Sequence, residues 1–365
     1  MKRKIIYALT PLAIATPIAL TISCGLKKDK TETPNPNDSK KDETKAPDSN
    51  KPKQDEIKTP EKSLATGEYK IGFWNILNDG KGKGYKNSAI AKVIKYNKMT
   101  MVGLAEVDDT KAVTTIADYL SEYTNNPWKA VYTKHKSGTL AGGSSATVEH
   151  YGFVYRSDLY TPENFDNTTE PGAIYANPKL SGMQYKRPPF GVKFKTKNSE
   201  FTAAIIHADG PGKGKGETKD QHGNGVQEVW EAKNLPTVMD WFDQHDGSNK
   251  NMIFMGDTNI HTTYKNEPFN SLVDKGYKPM LKLGSANSTS LGTKVDNYAN
   301  TYDKIFTNIA SANSGDYYKL YNVFKDNIID QQTLLKETQD ANKHYKNLIR
   351  SAISDHCPVW AIYNL

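Results

Sequence analysis

The chain reads as one large α/β domain whose core is two sheets flanked by helices. Two observations lead there. Strand-like apolar runs recur along the chain, and each carries an acidic, amide or imidazole group at one end. Helix-like segments separate the early runs and thin out later, which asks for mixed rather than purely parallel pairing. The stretch from Gly67 to Leu365 is long enough for a single domain of this kind.

Taken in order, YKIGFWN ends in Asn75, and apolar residues at Ala89, Ile90, Val93 and Ile94 then predict a helix over 87–98. TMVGLAE ends in Glu106. Val113, Ile116, Ala117 and Leu120 share one face of a second helix over 110–123, with Thr110 as its N-cap. EHYGFVYR opens with Glu149, and FTAAIIH ends in His207. A longer helix over 226–242 is expected to break or kink near Pro236. NMIFMGDTN follows, a buried strand that stops at Gly256. Asp257 and Asn259 sit two apart, so in an extended chain they face the same way. YDKIFT brings Asp303, and SDHCPVWAIY brings Asp355 and His356. Strand ends of a twisted α/β scaffold converge along one edge, where ligands bind. Asp and Asn at one strand end are ordinary turn formers. Several such ends together point to a site.

The first residues have a different character. Lys2, Arg3 and Lys4 precede an apolar stretch, Ile5 to Ile22, which runs into Ser23, Cys24 and Gly25. This is the layout of an export signal, and the Ser23–Cys24 junction resembles a bacterial lipobox, with cleavage before Cys24 and acylation of its thiol. The stretch is also about long enough to span a bilayer, so an uncleaved anchor is the alternative. Leu26 to Ala65 is rich in Lys, Asp, Thr, Pro, Asn and Glu and cannot bury enough surface to fold. The expected organisation is a lipoprotein signal over 1–24, a disordered charged tether over 25–66 and a folded domain over 67–365. A tether of roughly 40 residues spans on the order of 35 Å, which would hold that domain off a membrane.

Charge and cysteine content narrow the options. The formal net charge is +7, of which the signal supplies three positives and the tether, with ten Lys against nine acids, one more. The remainder is nearly balanced, so global charge is no argument for a polyanionic partner. There are two cysteines, Cys24 and Cys357. With Cys24 acylated, Cys357 has no partner and reads as a buried packing residue. Two Gly- and Lys-rich loops, over 79–85 and 208–219, leave candidate strand ends and could bring backbone and positive charge close to phosphate; as solvated flexible loops they would do neither. Walker, HExxH and GxSxG spacings are absent, which disfavours P-loop nucleotide binding, zinc proteolysis and serine hydrolysis. The acids and amides Glu106, Asp257, Asp355, Asn75 and Asn259 suit a hard cation, and His207 and His356 suit acid, base or charge-stabilising roles.

These residues resemble, in order, the motifs of the endonuclease/exonuclease/phosphatase superfamily: FWN, LAEV, E-HYGFVYR, IIHA, MGDTN, TYDKIF and SDHCPV. Within it the E-x-Y-x-FVYR run is similar to deoxyribonuclease I. With the lipoprotein head, the whole resembles the membrane-associated lipoprotein nucleases of mollicutes. The resemblance implies a four-layer α/β/β/α sandwich and divalent-metal phosphodiester hydrolysis, with Mg²⁺ as the ion and Mn²⁺ or Ca²⁺ able to substitute or assist. It implies two acid–imidazole pairs, Glu149 with His207 and Asp303 with His356. Glu106 would be the main metal ligand with Asn75 beside it, and Asp355 would bind metal or hold the network. Asp257 and Asn259 would position the water or the phosphate. Arg187, in KRPPFGVKF, matches an arginine that reaches substrate phosphate, although it could equally be an ordinary surface residue. Asp108 stands where the deoxyribonuclease I pattern has an arginine.

The expected protein is a nuclease of low sequence specificity, lipid-anchored on the extracellular face of the cell membrane. It would act on external DNA or RNA, with no obligate protein partner evident. The same fold also carries sphingomyelinases and phosphoinositide phosphatases, which is one alternative. A non-catalytic binding lipoprotein is another; it would need lost acids or histidines, and every matched position is occupied.

Overall fold

The computed structural model describes residues 67–80, 84–138, 148–212, 218–220, 222–261, 267–282, 287–338 and 345–365. The signal stretch, Cys24, the tether and the Lys–Gly segments 81–83 and 213–217 lie outside the described residues. Among the described residues no helix is long and apolar enough to cross a membrane.

The chain runs β1 (Glu68–Asp79), α1 (Gly84–Tyr96), β2 (Met101–Val107), α2 (Thr110–Thr124), β3 (Trp128–Tyr132), β4 (His150–Arg156), β5 (Thr161–Glu163), β6 (Ala173–Ile174), β7 (Phe190–Lys195) and β8 (Glu200–His207). It continues through α3 (Val226–Lys233), α4 (Leu235–Asp243), β9 (Met252–Asp257), α5 (Asn270–Asp274), β10 (Lys278–Pro279), β11 (Asp303–Thr307), β12 (Asn313–Tyr317), α6 (Gln331–Glu337), α7 (Tyr345–Ala352) and β13 (Val359–Asn364).

Two mixed sheets form. One has the order β12-β13-β1-β2-β4-β3, and the other β10-β11-β9-β8-β7-β5 with β6 beside β7. Each contains one parallel pair, β1 with β2 and β8 with β9, among antiparallel neighbours. Side chains alternate along each strand, so each sheet has two covered faces. Ile71, Phe73 and Met101 meet Ile205, Met255 and Ile305 in the core between the sheets. Trp74, Val102 and Leu104 face the other way, toward residues of α1, α2, α6 and α7. Ala204, Ile206 and Phe254 pack under α3, α4 and α5. The result is the expected α/β/β/α layering, with one core between the sheets and one beneath each helical layer.

Local details depart from expectation in informative ways. The first helix starts at Gly84 rather than 87, but buries the expected Ala89, Ile90, Val93 and Ile94. In α2 the N-cap is Asp109, not Thr110: Asp109 has extended backbone and its carboxylate accepts from the Lys111 N–H at 2.9 Å. The long helix over 226–242 is two helices that meet at Asn234, because Pro236 lies in the first turn of α4, where its missing N–H costs nothing. SDHCPVWAIY becomes strand only from Val359, after Pro358.

The parallel pair β8–β9 rests on a glycine. A Cβ at Gly256 would lie 2.2 Å from the carbonyl oxygen of Ile206, a backbone atom that cannot step aside. Gly256→Ala should therefore push β8 from β9 and destabilise the protein by about 1–3 kcal/mol, the usual scale of overpacking. Urea unfolding followed by circular dichroism measures this, and a midpoint equal to wild type would contradict the tight pairing.

Candidate active site

Strand register assembles the site. His207 is the Cα partner of Asp257 across β8–β9, and Asp257 is the partner of Asp303 across β9–β11. Three neighbouring strands thus bring their functional residues side by side. From the other sheet, Asn75 rises from β1 and Glu106 from the end of β2. Bulges interrupt the ladder between Asn75 and Asp79 and between Leu104 and Val107. They free these ends to aim at the site. Leu77, Asn78, Glu106 and Asn259 all have φ near +50°, a left-handed conformation that L-residues other than Asn and Asp seldom adopt. Backbone strain of this kind concentrates at functional sites.

Both expected acid–imidazole pairs are present. Glu149 Oε2 lies 2.9 Å from His207 Nδ1, and Asp303 Oδ2 lies 2.9 Å from His356 Nδ1. Each pair crosses from one sheet to the other. With Nδ1 held, the Nε2 atoms turn inward and converge on one oxygen: Asp257 Oδ2 is 3.7 Å from His207 Nε2 and 3.5 Å from His356 Nε2. The same oxygen accepts from the Asn75 amide at 3.0 Å, while Asp257 Oδ1 accepts from the Asn259 N–H. The Asn259 side chain donates to Ala208 O at 3.1 Å.

The charge states follow from these contacts. Burial pulls the His356 pKa down, but Asp303 and Asp257 more than offset it and hold it well above the ordinary value. His207 is lowered by burial and by Arg187, yet its contacts with Glu149 and Asp257 leave it raised. Burial works against the charge of Glu149 and Asp257, but the imidazoles, helped by Arg187 at Glu149 and by hydrogen bonds, keep both carboxyls below their usual range. The contacts favour the carboxylate form of the acids and the imidazolium form of the histidines.

Not every expected role matches the placement. The Asn75 oxygen accepts from the Leu77 N–H at 3.0 Å, and its nitrogen donates to Glu106 Oε1 at 2.9 Å as well as to Asp257. Asn75 thus bridges two acids through its nitrogen. Asp355 faces Arg350, with Nη2 to Oδ2 at 3.4 Å, and stands outside the Asp257–Asp303–His356 group. Arg187 is no surface residue: it is 6% exposed and donates to the carbonyls of His207 and Ala208, with Nε 3.9 Å from Glu149. Asp108 pairs with Lys136 at 2.6 Å. Cys357 is fully buried, and burial pushes its thiol pKa far up, which makes it inert.

Two groupings could hold a cation. Ligand atoms of Asp257, Asp303 and His356 all lie within 4.8 Å of one another. Glu106 and Asp257 both bring a carboxylate oxygen to the Asn75 amide nitrogen. Carboxylate oxygens of this kind suit a hard divalent ion.

The structure adds residues that the sequence did not mark. Thr289 donates to Asp303 Oδ2 at 2.5 Å. Ser354 joins the halves, donating to Asn75 O at 2.6 Å and accepting from the His356 N–H. Trp74 Nε1 donates to His356 O at 2.8 Å, and the Tyr151 hydroxyl accepts from the His207 N–H. Trp74 in FWN, Tyr151 in EHYGFVYR and Ser354 in SDH lay inside motifs without being singled out, and Thr289 lay outside them.

No family model matches the chain. An uncharacterized protein of Mycoplasma pneumoniae is 30% identical over 197 residues, which is 50% of this chain and 38% of that protein. Among solved structures, an endonuclease/exonuclease/phosphatase family protein from Bacteroides thetaiotaomicron aligns with a TM-score of 0.50 at 15% identity, over 81% of this chain and 97% of that one. The fold is the endonuclease/exonuclease/phosphatase fold. A mannosyl-6-phosphatase of the same bacterium aligns at a TM-score of 0.49 and 14% identity, over 80% of this chain and 98% of its own.

His356 offers a pH test. Its folded-state pKa is raised, so the stability it contributes is fully present below the unfolded value near 6.5 and is lost as pH rises through the folded value. Imidazole ¹⁵N resonances should show His356 titrating above about 6.5, and Asp303→Asn should move that midpoint down. A wild-type midpoint at or below that of a free imidazole would refute the assigned charge.

Proposed function

We propose that this protein is a divalent-metal-dependent phosphodiesterase that cleaves nucleic acid with little sequence preference. The observation that carries the reading is the convergence of two acid-backed imidazoles on Asp257. Phosphodiester hydrolysis needs a base for water, a clamp on the nonbridging oxygens and a proton for the leaving oxygen. Asp257, kept ionised, suits the first task. It takes the water proton as the water oxygen bonds to phosphorus. The imidazolium Nε2–H groups of His207 and His356 suit the second, and one of them returns a proton as the bond to the leaving oxygen breaks. Glu149 and Asp303 hold the imidazoles protonated and oriented. Asn259 fixes Asp257 through its backbone N–H. A Mg²⁺-type ion, held by Glu106 with Asp257, would neutralise phosphate charge when bound.

Removal of the Glu106 charge tests the metal assignment. Glu106→Gln should keep the fold and lower turnover of plasmid, single-stranded DNA or RNA by about two or more orders of magnitude, and chelator should do the same to wild type. Full activity under either condition would sink it. The imidazoles are tested by His207→Ala, His356→Ala and the double variant. Each single should cost about 10²–10⁴ in kcat/KM, with the double well short of the product because both act on one transition state. A single variant with unchanged circular dichroism and most of its activity removes that histidine from the mechanism.

The N-terminal pattern supports a further part of the proposal, that the enzyme is displayed on the outer face of the membrane through an acylated Cys24 and works on external nucleic acid. Mass spectrometry of the membrane-bound protein should find Cys24 as a lipid-modified N-terminus. An intact Met1 there would exclude cleavage.

A further inference from the structure

Beside His356 the surface falls into a groove of about 380 Å³ that the chemistry above leaves unused. Its floor is the segment from Ser290 to Asn300, folded back on itself. The Ala299 N–H donates to Ser290 O at 2.8 Å and the Gly292 N–H to Asn297 O at 2.7 Å. A bridge between Ser290 and His356, and a bond from the Leu291 N–H to Asp355 O at 2.7 Å, tie this floor to the hydrolytic centre. The groove therefore begins where the scissile phosphate would sit.

Its chemistry selects what it can hold. Among the described residues that line it, Arg350 and His356 are the cations. Arg350 is committed: Nη1 donates to the carbonyls of Leu291 and Gly292 at 2.5 and 3.0 Å, and Nη2 faces Asp355. A hydrocarbon tail would meet amides and hydroxyls, those of Asn297, Asn300, Ser290 and Thr293. The rest of the lining is neutral and polar, beside one aromatic ring. That ring is Tyr302, which lies 29° from parallel to the His356 imidazole with centroids 6.3 Å apart. Burial, with Asp257 and Glu228 nearby, pushes its phenol pKa up to about 12, so it stays uncharged.

We propose that this groove is a nucleoside subsite, which takes the sugar and base on one side of the scissile phosphate, with the base against Tyr302. The inference rests on the phosphodiesterase reading and sharpens it, because it selects a nucleoside over a lipid tail as the group beside the phosphate. Stacking a base on an aromatic side chain is worth roughly five- to hundredfold in affinity.

The test is binding, measured apart from turnover. Full-length protein with Mg²⁺ is titrated calorimetrically with thymidine 5′-monophosphate and with methyl phosphate, which share the phosphate and differ in the nucleoside. The nucleotide should bind about tenfold or more tightly. Tyr302→Leu should bring the two within about threefold, the stacking contribution being lost, while Tyr302→Phe keeps the gap. Methyl phosphate binding in each variant reports that the phosphate end is intact. Equal affinities in wild type, no measurable nucleotide binding, or a gap that survives Tyr302→Leu overturns the subsite. Hydrolysis of DNA is scored separately: a gap without hydrolysis leaves the subsite standing and removes the enzymatic reading, and hydrolysis without a gap does the reverse.

Discussion

The arrangement of the site depends on a single buried carboxylate. Asp257 is 1% exposed, and a lone charge so placed would cost several kcal/mol. It is tolerated because an amide, a backbone N–H and two imidazoles surround it. A second carboxylate stands behind each imidazole and, with Asp257, raises its pKa. Asp257, Glu149, Asp303, His207 and His356 therefore form one interdependent set, and removal of any member leaves another buried charge without its partner. The strand register of β8, β9 and β11 keeps His207, Asp257 and Asp303 in place, while Glu149 and His356 reach them from the segments that lead into β4 and β13.

Much of this was legible in the sequence, and the limits have physical reasons. Strands that end in functional groups were visible because a buried strand is a continuous apolar run and its polar terminus stands out, as at His207 and Asp257. Strands β3 and β7, WKAVY and FGVKFK, alternate with lysines and lack such a terminus, so they escaped notice. The shortest, β5, β6 and β10, have too few residues to show a period. Helix faces were readable from spacing, whereas helix ends were not, because Asp109 and Thr110 are both good caps and only backbone geometry separates them.

The same division holds in the site. The acids and imidazoles could be found because few other roles explain them at strand ends. Their partnerships could not, since pairing is a tertiary fact. The resemblance supplied Glu149 with His207 and Asp303 with His356, and the geometry agrees. It also placed Asn75 beside Glu106, and the two side chains do meet; the bond from the Leu77 N–H that orients the Asn75 amide comes from a left-handed turn that no pattern announces. Thr289 supports the centre through a single hydroxyl, and nothing in its neighbourhood distinguishes it from an ordinary polar residue.

The strand order has a consequence for when such a site can exist. β1 pairs with β13 although the two strands lie far apart in sequence, Glu68 opposite Asn364. The first sheet therefore closes only when distant segments have met, and pairing of that kind forms slowly. Until then His356, which leads into β13, has no fixed position, and Asp303 has no imidazole to orient. Assembly of the constellation thus waits on the longest-range pairing in the sheet.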